Sequence, residues 1–122
     1  MKPLLLFVDD CKDDAIIACH ELERAGIDVD YAVVWTRDDL IRAIAERDPD
    51  AILCDIVMPQ FDAWDALRIC RELVPKVPFI LHSGTVSVQD ARLGMQRGVF
   101  GTAEKDLPAQ LIAVVRRALK LP

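Results

Sequence analysis

The sequence predicts an α/β fold: a parallel five-stranded sheet covered by helices on both faces. Three observations point there. Short apolar runs alternate five times with amphipathic, helix-length segments. The first of these runs is apolar at every position, as a strand buried on both faces is. The second alternates with acids, which suits the edge of a sheet. With 122 residues there is room for one domain, expected to span 1–122, and for one real core.

Leu4–Val8 reads as a buried strand. A helix is expected over Asp13–Ala25, with Ala15, Ala18, Leu22 and Ala25 on one face and Gly26 closing it. Val29, Tyr31 and Val33 alternate with Asp28 and Asp30, giving a strand with one wetter face. Thr36 opens a second helix, with Asp39 at the capping-box position, that runs to about Arg47. Ala51–Cys54 is a short strand ending at Asp55, and a loop holding Met58 and Pro59 leads to a helix over Trp64–Val74. Pro75 and Pro78 bracket the turn into a fourth strand, Phe79–Leu81, which continues through His82 to Ser83, Gly84 and Thr85. Val88–Arg97 is a weaker helix, with Gly94 inside it and Gly98 after it. Val99–Ala103 is the fifth strand. Leu107–Leu119 is the last helix, with Leu111, Val114, Val115 and Ala118 on one face and Arg116, Arg117 and Lys120 near its C-terminus, where the dipole favours cations. A wet second strand at the edge favours strand order 2-1-3-4-5, the flavodoxin-like (βα)5 three-layer sandwich.

Composition narrows the function. A net charge of −5 argues against non-specific nucleic-acid binding, so no direct nucleic-acid partner is expected. No apolar run approaches the roughly 20 residues of a membrane span. The N-terminus lacks a small-residue cleavage site. The expected setting is cytoplasmic, with no membrane partner. The four cysteines, at 11, 19, 54 and 70, form no Cys-x-x-Cys pair, and neither His20 nor His82 stands at zinc-ligand spacing to them. They read as reduced thiols used as small hydrophobes.

In open sheets of this kind the functional crevice lies beyond the carboxyl ends of the strands. Strand one delivers Asp9 and Asp10 there, strand three Asp55, strand four Ser83 and strand five Lys105. Taken singly, each has a plain structural use: an Asp after a strand forms turns or caps helices, Ser-Gly makes a turn, and a lysine is a solvated surface group. Their coincidence on every strand except the edge one argues for a shared site. Three close carboxylates repel, so a cation belongs among them. Oxygen-only ligands point to Mg²⁺. Mg²⁺ beside a lysine and a hydroxyl suggests phosphoryl transfer. The Gly-x-x-x-x-Gly-Lys-Ser/Thr nucleotide loop is absent, so one carboxylate is expected to act as nucleophile and form an acyl phosphate. Asp55, alone on its strand end, is the natural choice. Asp13 and Asp14 read as capping and dipole residues of the first helix.

On Asp9-Asp10 after the first strand, "CDIVMP" holding Asp55, "SGT" holding Ser83 and "EKDLP" holding Lys105, the chain resembles a receiver domain of two-component response regulators. The resemblance covers essentially the whole sequence. It implies Asp55 as phosphoacceptor for a sensor-kinase histidine, a Mg²⁺ site of Asp9, Asp10, Asp55 and the Val57 carbonyl, and phosphate contacts from Ser83 and Lys105. It also implies slow self-catalysed loss of the phosphoryl group, with no separate substrate turned over as an enzyme would. The implied partners are a sensor histidine kinase or phosphotransfer protein, a second copy of the chain in a homodimer, and a downstream protein or linked output module.

Four departures qualify the resemblance. The aromatic residue usual three positions before the lysine is Thr102, which leaves Thr102 and Phe100 as switch candidates. Asp106 replaces the proline usual after the lysine, which makes a cis bond there costly and offers a cap for the last helix. Ala63 stands where glycine is common, and would be strained if the backbone needed positive φ. His82 occupies a position that is normally apolar and reads as a hydrogen-bonded core histidine. Thr102 and Ala63 motivate an alternative, a receiver-like interaction module that does not switch by phosphorylation.

Overall fold

A computed structural model describes all residues, 1–122. Five strands, β1 (Leu4–Val8), β2 (Asp30–Val34), β3 (Ala51–Cys54), β4 (Phe79–Ser83) and β5 (Gly101–Glu104), form one parallel sheet of order β2-β1-β3-β4-β5. Each is followed by a helix: α1 (Lys12–Arg24), α2 (Arg37–Glu46), α3 (Ala63–Leu73), α4 (Val88–Gln96) and α5 (Pro108–Ala118). The expected architecture and strand order are both present. No helix is long and apolar enough to cross a membrane.

Strand alternation sorts the core into two layers. Leu6, Val8, Ile52, Cys54, Phe79 and Leu81 face α2 and α3, meeting Leu40, Ile44, Leu67 and Cys70. Leu5, Phe7, Leu53, Ile80 and Ala103 face α1 and α5, meeting Ala18, Leu22, Leu111 and Val115. Phe7 and Phe79, fully buried on opposite faces, each contribute roughly 1.5–3 kcal/mol. The register sets Val8 beside Cys54 and Ser83 beside Glu104, so the residues that follow these strand ends open onto one edge of the sheet.

Several boundaries differ from expectation for identifiable reasons. β5 starts at Gly101, because the Val99 N–H is taken by the Gly94 carbonyl at the end of α4. At Gly101 the strand runs close under α5, and an added Cβ would lie 2.7 Å from Val114 Cγ2. Gly101→Ala is therefore expected to cost roughly 1–3 kcal/mol through overpacking. Urea denaturation would read this as a lowered midpoint, and an unchanged midpoint would contradict it. Asp106 does not cap α5. The N-cap is Leu107, without a side-chain hydrogen bond, and Pro108 supplies the first turn. Thr36 caps α2 as expected, its Oγ1 accepting the Asp39 N–H at 3.1 Å, while the Asp39 carboxylate turns to Arg42 at 3.0 Å. The wetter face of β2 is not the acidic one: Tyr31 is exposed, whereas Ala32 and Val34 pack toward the α2–α3 layer.

Ala63 carries no strain. It is the first residue of α3, after the capping Asp62, and Lys120 is the one non-glycine residue with positive φ. No peptide bond is cis, including that between Lys105 and Asp106. Helix α4 is loosely held, since Gly94 is its one buried residue. All four cysteines are free. Burial pushes the Cys54 thiol up, Cys19 to about 11 and Cys70 to about 12, as expected of inert thiols. Cys11 is exposed and so does not serve as a core hydrophobe.

Candidate functional site

The crevice forms where β1, β3, β4 and β5 end. Asp55 follows β3 and is 8% exposed. Its Oδ1 accepts two hydrogen bonds, from Ser83 Oγ at 2.8 Å and from the Val57 N–H at 3.0 Å. Its Oδ2 receives Lys105 Nζ at 3.0 Å. Asp9 follows β1, is 1% exposed, and accepts the Cys11 N–H on Oδ1 at 2.9 Å. Carboxylate oxygens of Asp9, Asp10 and Asp55 all lie within 4.8 Å of one another. Sequence reasoning named Asp9, Asp10, Asp55, Ser83 and Lys105, and the fold brings all five together. Val57 meets Asp55 through its backbone N–H, with its side chain turned to solvent.

The electrostatics are lopsided. Lys105 Nζ stands 2.6 Å from Asp14 Oδ2, 2.8 Å from Asp9 Oδ2 and 3.0 Å from Asp55 Oδ2. Burial pulls the ammonium down, but its close contacts with the three carboxylates outweigh it and hold the group well above the ordinary lysine range. Burial pushes the Asp9 carboxyl up, more than Lys105 and the Cys11 N–H pull it down. Asp9 Oδ2, although close to the ammonium, is fully buried and makes no aligned hydrogen bond. Three carboxylates thus share one ammonium, and Asp10 adds a fourth negative charge beside Asp9 and Asp55. An oxygen-only donor set with an unsatisfied buried oxygen fits a hard divalent cation.

Asp14, which local pattern marks as a helix-start acid, is the site residue that sequence reasoning misses. Its hydrogen bond from Lys105 holds the carboxyl below the ordinary range, against partial burial. A signal was present: Asp14, Ala18 and Leu22 form an i, i+4, i+8 stripe, and the latter two are core residues.

The other candidates fall outside the crevice or differ from expectation. Thr102 is half-buried on β5, paired with Leu81. Phe100 precedes β5, is 39% exposed and carries the Arg117 guanidinium 5.5 Å from its ring centroid. His82 is 3% exposed, as a core histidine should be, yet its ring makes no hydrogen bond to the protein. It meets Phe7 edge-on, with centroids 6.3 Å apart. Burial, reinforced by the Lys105 charge, lowers it to about 4.

A family model for the response regulator receiver domain matches residues 5–116. The regulatory protein LuxO of Vibrio cholerae is 31% identical over 112 residues, which is 88% of this chain and 25% of that protein. The NtrX structure from Brucella abortus superposes with a TM-score of 0.84 at 26% identity, over 98% of this chain and 27% of that one. A Francisella response regulator's receiver domain superposes with a TM-score of 0.80 at 26% identity, over 98% of both chains. The chain thus spans about a quarter of the length of LuxO and of NtrX.

Proposed function

Because the chain belongs to the response regulator receiver family, a signalling family of two-component systems, we propose that it works as a phosphorylatable switch with Asp55 as the acceptor. The observation that carries this reading is the environment of Asp55. One oxygen is held by Ser83 and Val57, the other faces an ammonium, and two more acids stand within metal-binding reach. The whole of residues 1–122 is taken as one receiver domain.

In this reading an Asp55 carboxylate oxygen attacks the phosphorus of a phosphohistidine. The P–N bond breaks, the imidazole leaves with the electron pair, and an acyl phosphate forms. Mg²⁺, held by Asp9, Asp10, Asp55 and the Val57 carbonyl, would supply positive charge against the phosphoryl oxygens. Ser83 Oγ transfers its hydrogen bond from Asp55 to a phosphoryl oxygen, and Lys105 pairs with the new charge. Slow hydrolysis of the acyl phosphate by water resets the site.

The phosphoryl donor is a sensor histidine kinase or a phosphotransfer protein in the cytoplasm. The readout is altered contact with a downstream protein, a linked output module or a second copy of the chain. Loosely held α4 is the element expected to move. Thr102, and a Phe100 ring engaged with Arg117, favour a second reading, an interaction module that does not switch. Large amide shifts around α4 and β5 on adding beryllofluoride with Mg²⁺ would reject it. The leading reading is tested by incubating the chain with acetyl phosphate and Mg²⁺. The intact mass should rise by one phosphoryl group, and the gain should vanish when EDTA removes the metal. No gain with Mg²⁺ present would overturn it.

A further inference from the structure

We propose that Asp14 is a positioning residue for phosphoryl transfer, holding the Lys105 ammonium in the crevice while the reaction engages the lysine's other two partners. The inference rests on the reading of Asp55 as acceptor. Lys105 has three N–H donors and three carboxylate neighbours, and Asp14 is the nearest, at 2.6 Å. The other two change during the reaction: Asp9 and Asp55 belong to the metal-binding cluster, and Asp55 becomes the acyl phosphate. Asp14 lies outside that cluster. It is the one partner that keeps its charge and place throughout.

Both ends of the lysine are then fixed. Its backbone N–H is bonded to the Ser83 carbonyl at 2.8 Å, and its ammonium is tethered to α1 through Asp14. The tether is firm because Ala18 and Leu22, one and two turns further along the same stripe, are locked in the core. Without it, the ammonium borders a cavity of about 140 Å³ whose walls also include Glu21 and Asp106. Those rival carboxylates would draw Lys105 away from the phosphoryl position.

The test compares the native chain with Asp14→Asn, which keeps an acceptor oxygen but not the charge, and with Asp14→Ala. Three quantities are read: the phosphorylation rate with acetyl phosphate, the Mg²⁺ affinity, and the exchange of the Lys105 ammonium protons with water by ¹⁵N spectroscopy. Asp14→Ala should phosphorylate about tenfold more slowly, the effect of losing one charge-assisted hydrogen bond, with Asp14→Asn between it and native. Ammonium exchange should speed up in the same order, and Mg²⁺ affinity should change less than the rate. A native rate in Asp14→Ala overturns the proposal, as does a lowered rate with unchanged ammonium exchange. If the native chain takes up no phosphoryl group, the Asp55 reading fails and takes this inference with it. Failure of the positioning role alone would be visible only in the variants.

Discussion

Incubated with acetyl phosphate and Mg²⁺, the Asp55→Asn chain should gain no phosphoryl group under conditions that saturate the native chain. The substitution is close to isosteric. Its amide oxygen still accepts from Ser83 Oγ and the Val57 N–H, which bond Asp55 at 2.8 and 3.0 Å. The fold should therefore survive, and circular dichroism would check that it does. What is lost is the anionic nucleophile, and an amide does not replace it. The effect is all-or-none, because Asp9 and Asp10 lack the equivalent surroundings: the Ser83 hydroxyl and the Val57 N–H converge on Asp55 alone. A full phosphoryl gain in Asp55→Asn would mean that another side chain is the acceptor.

Between pH 6.5 and 4 the native chain should lose stability through His82, and His82→Leu should remove that loss. Burial, and then the charge of Lys105, lower the buried imidazole from 6.5 to about 4. Below pH 6.5 the unfolded chain binds a proton that the folded chain refuses until about pH 4. Stability supplied by the neutral ring is thus present above the unfolded value and drains away across that window. The full loss is about 3 kcal/mol, from 1.36 kcal/mol per pH unit over the interval. Asp55 and Asp14 oppose the shift without cancelling it. Leucine suits the site, since the ring packs edge-on against Phe7 on a core-facing strand position. Urea titrations of both chains at a series of pH values would show the native curve falling more steeply than that of the variant. Parallel curves would contradict the account.

The sheet and the centre of the site were legible from sequence because the apolar strands are short and each ends in a polar residue of one chemical set. Leu4–Val8 ending in Asp9, and Ala51–Cys54 ending in Asp55, are found with those bounds. The misreadings arise where tertiary packing overrides local pattern. Val99 looks like a strand residue, yet its N–H closes the end of α4. Asp106 has the right chemistry for a cap, but the chain turns one residue later, at Leu107. Tyr31 alternates as a core residue would, yet it lies on an edge strand where the helix layer ends. Asp14 looked like a helix-start acid because its partner, Lys105, is 91 residues away. Local spacing carries no trace of that pairing beyond the stripe it shares with Ala18 and Leu22. Strand pattern places His82 in the core, but whether the protein offers its ring a partner depends on Phe7, α1 and α5 around it, and strand pattern does not record that.

The central claim, that this receiver carries its phosphoryl group on Asp55, is tested most directly by chemical trapping. Borohydride reduces an aspartyl phosphate to homoserine and leaves free carboxylates untouched. After phosphorylation with acetyl phosphate and Mg²⁺, reduction and peptide sequencing by mass spectrometry should find homoserine at position 55. Homoserine at position 9 or 10, or none at position 55, would contradict the account.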